Sequence, residues 1–173
     1  MRTSNLGIEL IKHFESLHDG DLKKIGLQPK MCPAGIWTVG YGHALRDATG
    51  KYLKGVSDYP KLLEIYPHLE TITEEEADEL LKEDLVLWEN YVGKRLNALV
   101  TQYEFDALVS HSYNTGGSDT LFKLVNNFAD PKEIEPWFCK KYISANGIVL
   151  RGLQRRRMSE WILFNTGKLK FDA

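Results

Sequence analysis

The chain has 173 residues, 43% hydrophobic and 27% charged, with 22 Lys plus Arg against 24 Asp plus Glu and a formal charge of −2. That composition fits one soluble globular domain spanning 1–173 and argues against disorder. The near-neutral balance supplies no basic field for phosphate backbones and no anchor for an anionic membrane or wall, so no nucleic acid is expected as a partner.

In chain order, Ser4 can cap a first helix whose Leu6, Leu10, Ile11 and Phe14 share one face. From Gly20 to Gly50 the chain is loop-rich, with one β-favouring run at Ile36-Trp-Thr-Val-Gly-Tyr41, and reads as a small β lobe over about 20–60. Residues 50–70 read as an irregular connection with at most one short helix. From Thr71 the signals are helical. Thr73-Glu-Glu-Glu76 has capping-box spacing ahead of Leu80, Leu81, Leu85 and Trp88, and Thr101-Gln-Tyr-Glu104 repeats it ahead of Phe105, Leu108, Val109 and Ser112. Gly116-Gly117 stops that helix, Pro131 starts another through Trp137 and Phe138, and a last helix carries Met158, Trp161, Ile162 and Leu163 to Gly167. The expected fold is α+β: a small β-hairpin lobe and a mainly helical lobe made of about 71–166 plus the N-terminal helix, with a ligand cleft between the lobes.

Two cysteines, Cys32 and Cys139, are too few for a disulfide framework or a Cys-built zinc site, and whether they pair is left open. The five histidines form no His-Glu-x-x-His pattern, so no metal is expected. No run of about eighteen apolar residues occurs. A chain without signal peptide, transmembrane segment or membrane insertion, made in the cytoplasm, is the expectation.

Chemistry concentrates in His13-Phe-Glu15 and Ile36-Trp-Thr-Val-Gly-Tyr-Gly-His43. Glu15 sits near a helix end beside Phe14 and Leu17. A carboxyl in a partly apolar setting stays protonated, as a general acid must. Phe14-Glu15, Trp37-Thr-Val-Gly-Tyr-Gly-His43, Thr73-Glu-Glu-Glu-Ala-Asp-Glu-Leu-Leu81 with Asp84-Leu85, Leu99-Val-Thr-Gln102 with Phe105-Asp-Ala-Leu-Val-Ser110 and Tyr113-Asn-Thr-Gly116, and Leu150-Arg-Gly-Leu-Gln-Arg-Arg-Arg157 with Glu160 follow one another over residues 6–166. This series resembles the phage-type lysozymes, the endolysins of glycoside hydrolase family 24.

The resemblance implies a lysozyme-like fold and a muramidase that cleaves the β-1,4 bond between N-acetylmuramic acid and N-acetylglucosamine of bacterial peptidoglycan. It implies no cofactor, a monomer, and action on the wall of a phage host after release by a separate holin. The implied catalytic set is Glu15, Cys32 and Thr38. Cys32 precedes Thr38 by the family's six positions but follows Glu15 by 17 rather than nine. An insertion within Asp19–Lys30 accounts for the difference, and Asp19 or Asp21 is the alternative to Cys32 for the second role. Gln102 and Asn114, whose amides suit sugar hydroxyls, are implied to bind substrate. Arg155 is implied to order the catalytic Glu, the rest of Arg155-Arg-Arg157 being read as a mostly solvated face. Gly40 and Gly42 either admit a sugar ring or serve turn geometry, and Trp37 either stacks on sugar or packs. Two other functions fit the residues: a peptidoglycan amidase or peptidase with Cys32 as nucleophile and His43 as base, and a glycan-binding domain without catalysis.

Overall fold

The computed structural model describes residues 1–17, 19–145 and 147–171. The chain forms two compact units, Glu15–Asp84 and Met1–Phe14 with Leu85–Ala173.

The Glu15–Asp84 unit is built on a three-stranded antiparallel sheet of β1 (Lys30–Met31), β2 (Trp37–Val39) and β3 (His43–Ala44), in that order. A short helix α2 (Tyr59–Ile65) follows, with Pro60 in its first turn, where its missing N–H goes unmissed. Single 3-10 turns flank it at Val56–Asp58 and Pro67–Leu69. Helix α3 (Glu74–Arg95) then begins, and the Thr73 capping box is formed in both directions: Thr73 N donates to Glu76 Oε2 at 2.8 Å and Glu76 N to Thr73 Oγ1 at 3.2 Å. Val39, Tyr41, Leu45, Leu53, Leu62, Leu69, Ile72, Ala77 and Leu81 are among the buried side chains of this unit's core. On α3 the buried positions run Ala77, Leu81, Leu85, Glu89 and Val92, the near-fourfold repeat of one helix face.

The other unit is helical, and takes in most of α1 (Asn5–Glu15), which ends where the first unit begins. Its later helices are α4 (Gln102–Thr115), α5 (Asp119–Asn126), α6 (Pro131–Cys139) and α7 (Arg151–Thr166); α7 packs on α4 and α6, and α6 on α5. Thr101 and Glu104 form the expected capping box at the start of α4, and Gly116 closes it in the left-handed conformation at φ 83°. Helix α5 is an addition to the sequence reading: Ser118 caps it by accepting from Leu121 N, and Leu121, Phe122 and Val125 are buried. So is the exposed ribbon of β4 (Ser144–Ala145) and β5 (Ile148–Val149), too short to show a period.

Ser4 does not act as the simple cap its position suggests. Its backbone N donates to Asp106 Oδ1 at 2.9 Å and its hydroxyl donates to Asp106 Oδ2, so the fully buried Asp106 of α4 holds the start of α1. Gly7 lies where α1 crosses that carboxylate; a Cβ there would stand 2.8 Å from Asp106 Cβ.

An aromatic cluster fills the space around α7. Phe138 lies 5.3 Å from Phe164 and 6.0 Å from Trp161, and His111 meets Phe138 edge-on at 5.4 Å. Burial, helped by the nearby Arg157 and Arg156 and opposed by Glu160, pushes the His111 pKa down to about 4. The fold therefore refuses a proton that the unfolded chain accepts near pH 6.5. Stability is complete above that value and is lost as pH falls toward 4, by about 3 kcal/mol in total. Urea unfolding at pH 7, 5.5 and 4.5 measures this slope. In His111→Gln the part of the slope due to this group is expected to vanish; an unchanged slope would place the acid sensitivity elsewhere.

Candidate active site

Glu15 is the last residue of α1 and is half-buried. The helix stops because Ser16 adopts φ 60°, a left-handed conformation uncommon outside glycine that costs of order 1 kcal/mol and recurs at functional sites.

The inserted segment after it is a pinned loop. Gly20 N donates to Gln28 O at 3.1 Å, and Leu27 and Ile72 exchange backbone hydrogen bonds at 2.8 and 2.9 Å. Gly20 has no room for a side chain, since a Cβ would lie 2.3 Å from Pro29 O. Asp19 Oδ1 accepts from Asp21 N and Asp21 Oδ1 from Lys23 N, both at 3.1 Å, so each carboxylate has one oxygen engaged in the turn.

The loop delivers the chain into β1. In the β1–β2 pairing Lys30 stands opposite Thr38 and Met31 opposite Trp37. The ladder continues one step, with Cys32 N donating to Ile36 O at 2.8 Å, before Cys32 O and Gly35 N close the turn. Opposed residues share a face and neighbours alternate. Lys30, Cys32, Ile36 and Thr38 therefore lie on one face, with Cys32 and Thr38 diagonal neighbours. This explains the six-position spacing: a tight turn flanked by paired strands brings those two side chains together. Thr38 is buried, and its hydroxyl donates to Lys30 O at 3.0 Å. Cys32 is half-buried and its thiol is free of any disulfide, as is that of Cys139. Burial pushes the Cys139 thiol up to about 11.

His43 lies elsewhere. It pairs with Val39, on the opposite face of the sheet from Thr38. Its Nδ1 bonds Asp84 of α3 at 3.0 and 3.1 Å, and that hydrogen bond, against an opposing effect of burial, raises its pKa. The glycines of the motif serve the backbone. Gly40, at φ 60°, lies against α3, where a Cβ would stand 3.0 Å from Ala77 Cβ, and Gly42 turns the chain at φ 89°. Tyr41 donates to Glu74 Oε1 at 3.2 Å. Trp37 is half-buried; its Nε1 donates to Gly55 O at 2.7 Å and its ring lies 5.0 Å from Tyr59.

Gln102, Asn114 and Arg155 belong to the other unit. Gln102 opens α4 and spends its amide N–H groups on Arg2 O and Asp106 Oδ1, each at 2.8 Å. Asn114 is exposed in the last turn of the same helix. Arg155 is half-buried and donates from Nε and Nη2 to Phe171 O at 3.4 and 3.1 Å.

The arginine run is not a mostly solvated face: Arg156 and Arg157 are buried. Arg156 Nε and Arg157 Nη2 donate to Glu160 Oε1 at 3.2 and 2.7 Å, and Ser110 adds a third donor at 2.8 Å. The Arg156 guanidinium also stands 5.9 Å over the ring of Phe14, the residue before Glu15. The signal for this network was present in the i to i+3 and i to i+4 spacing of Arg157 and Arg156 to Glu160. Among the described residues no group of three or more His, Cys, Asp or Glu is placed to hold a metal ion, and no helix is long and apolar enough to cross a membrane.

Comparison with known proteins gives a consistent result. The phage lysozyme family matches residues 21–160 of this chain, a range that takes in the hairpin and most of α7 and begins six residues after Glu15. The chain is 33% identical over 174 residues to an endolysin of Bacillus phage B103, a match covering 98% of this chain and 56% of that protein. It thus spans about half the length of the Bacillus phage endolysins it matches. Among solved structures, an endolysin from Escherichia coli O157:H7 phage FAHEc1 superposes with a TM-score of 0.73 at 27% identity, covering 98% of this chain and 97% of that one. The muramidase domain of SpmX from Asticaccaulis excentricus superposes with a TM-score of 0.69 at 31% identity, covering 95% and 98%. The lysozyme-like α+β fold expected from the sequence is therefore the fold observed.

Proposed function

Because the chain belongs to the phage lysozyme family, we propose that it is a muramidase, hydrolysing the β-1,4 bond between N-acetylmuramic acid and N-acetylglucosamine of bacterial peptidoglycan in the lysis of a phage host. The observation that carries this reading is the hairpin register, which sets Thr38 and Cys32 on one face. Glu15 gives its proton to the glycosidic oxygen as the bond to the anomeric carbon breaks. Thr38 commits its own proton to the Lys30 carbonyl, so its oxygen acts as an acceptor and aligns a water for attack on that carbon. Cys32, beside it, assists the water. One proton passes from the water to solvent and one returns from solvent to Glu15, so the sum is hydrolysis, with inversion at the anomeric centre.

Two observations favour Cys32 over Asp19 and Asp21 in the second role. Each aspartate has an oxygen bound in the loop turn, and Cys32 shares a face with Thr38. The amidase alternative fits poorly, because His43 lies on the opposite face of the sheet and is bound to Asp84. Gln102, Asn114 and Arg155 remain proposed as substrate-binding and ordering groups on family grounds, as do a monomeric enzyme and a separate holin for release from the cytoplasm where it is made. Digestion of purified peptidoglycan, read by mass spectrometry, tests the assignment. New reducing ends are expected, about 10²-fold fewer in Thr38→Val and markedly fewer in Cys32→Ala, with Asp19→Ala near wild type. Loss in Asp19→Ala with full activity in Cys32→Ala would move the second role into the loop, and new free amines in place of reducing ends would establish the amidase.

A further inference from the structure

The face that carries Cys32 and Thr38 carries a third chemically useful group. Lys30 stands opposite Thr38 and two residues before Cys32, so the pleat sends its side chain to the side of both. Lys30 is exposed, and among the described residues its ammonium makes no ion pair. Its position is fixed at the backbone, because its carbonyl holds the Thr38 hydroxyl. The chain as a whole is slightly acidic, so this cation is a local feature at the reactive face and no part of a general attraction to an anionic wall.

We propose that Lys30 is a specificity-determining residue that binds a carboxylate of the substrate, carried by the peptide stem on the lactyl group of the N-acetylmuramic acid ring. The inference rests on the muramidase reading above. Of the two sugars, only N-acetylmuramic acid bears an acidic substituent; N-acetylglucosamine is neutral. A cation beside the groups that handle the anomeric carbon therefore distinguishes the two rings by charge. An ammonium on a four-carbon stem suits this task, since it follows a mobile carboxylate as a point charge where a planar guanidinium would demand one geometry. An exposed pair of this kind changes kcat/KM by about two- to fivefold and weakens with salt.

The test uses intact peptidoglycan and the same material with its carboxylates converted to methylamides by carbodiimide coupling. Wild type is expected to lose about two- to fivefold in kcat/KM on the blocked wall. Lys30→Gln is expected to lose that factor on the intact wall and to be indifferent to blocking, and Lys30→Arg to retain most of the preference. Raising salt from 50 to 300 mM should shrink the difference between wild type and Lys30→Gln. An equal loss by Lys30→Gln on both walls would overturn the proposal and make Lys30 a support for Thr38; no loss on either would remove it from substrate binding. If wild type releases no reducing ends from either wall, it is the muramidase reading that fails.

Discussion

Glu15→Gln is expected to lower the release of reducing ends from peptidoglycan by roughly 10²–10⁴-fold, the range for removing a general acid. The amide keeps the shape and hydrogen-bonding reach of the side chain but has no proton to give to the leaving oxygen. Fold stability should change little, because Glu15 ends α1 half-buried while the fully buried residues of that helix are Leu10 and Ile11. The measurement is a reducing-end assay paired with a thermal melt of the same preparation. Loss of activity with an unchanged melt supports the acid role. Retained activity would assign the proton donor to a different acid, and no release of reducing ends by wild type would leave a glycan-binding domain.

Glu160→Gln is expected to act in the opposite sense, with a large loss of stability and no direct effect on chemistry. Glu160 and Arg157 are fully buried and Arg156 nearly so, and both guanidiniums and the Ser110 hydroxyl converge on one Glu160 oxygen. Neutralising the carboxylate removes the negative charge on which both buried guanidiniums converge, and breaking a buried pair in this way typically destabilises by about 3–5 kcal/mol. At about 2–4 °C per kcal/mol for a domain of this length, the melting temperature should fall by about 10 °C. Activity measured well below the melt should persist. A melt within about 2 °C of wild type would mean that the arginines are balanced by other groups.

The two substitutions separate what lies at different distances along the chain. Features set by neighbours three or four residues apart were readable in advance. The boxes at Thr73 and Thr101, the stop at Gly116 and the start at Pro131 all recur in the structure, because caps are local hydrogen bonds. Short elements whose stability comes from packing were not readable. Helix α5 has eight residues and is held by burial of Leu121, Phe122 and Val125, and the β4–β5 ribbon has two residues per strand.

The same division runs through the candidate site. Motif order alone pointed to Glu15, Cys32 and Thr38, and the family match extends the likeness over most of the chain. The strand register then assigned faces, uniting Cys32 with Thr38 and Lys30 and removing His43 to the other side; a shift of one residue would have exchanged them. The extra residues behind the 17-position spacing form a loop with its own hydrogen bonds at the base of β1. Three arginines in succession read as a surface run from charge alone. Which of them is buried depends on where a carboxylate waits, and Glu160, Ser110 and Phe14 supply that setting from three different places in the sequence. The sequence by itself thus determined the family, the caps and the candidate acid. Tertiary structure decided which charges are buried and which side chains share the reactive face, because burial and strand pairing are made by residues far apart along the chain.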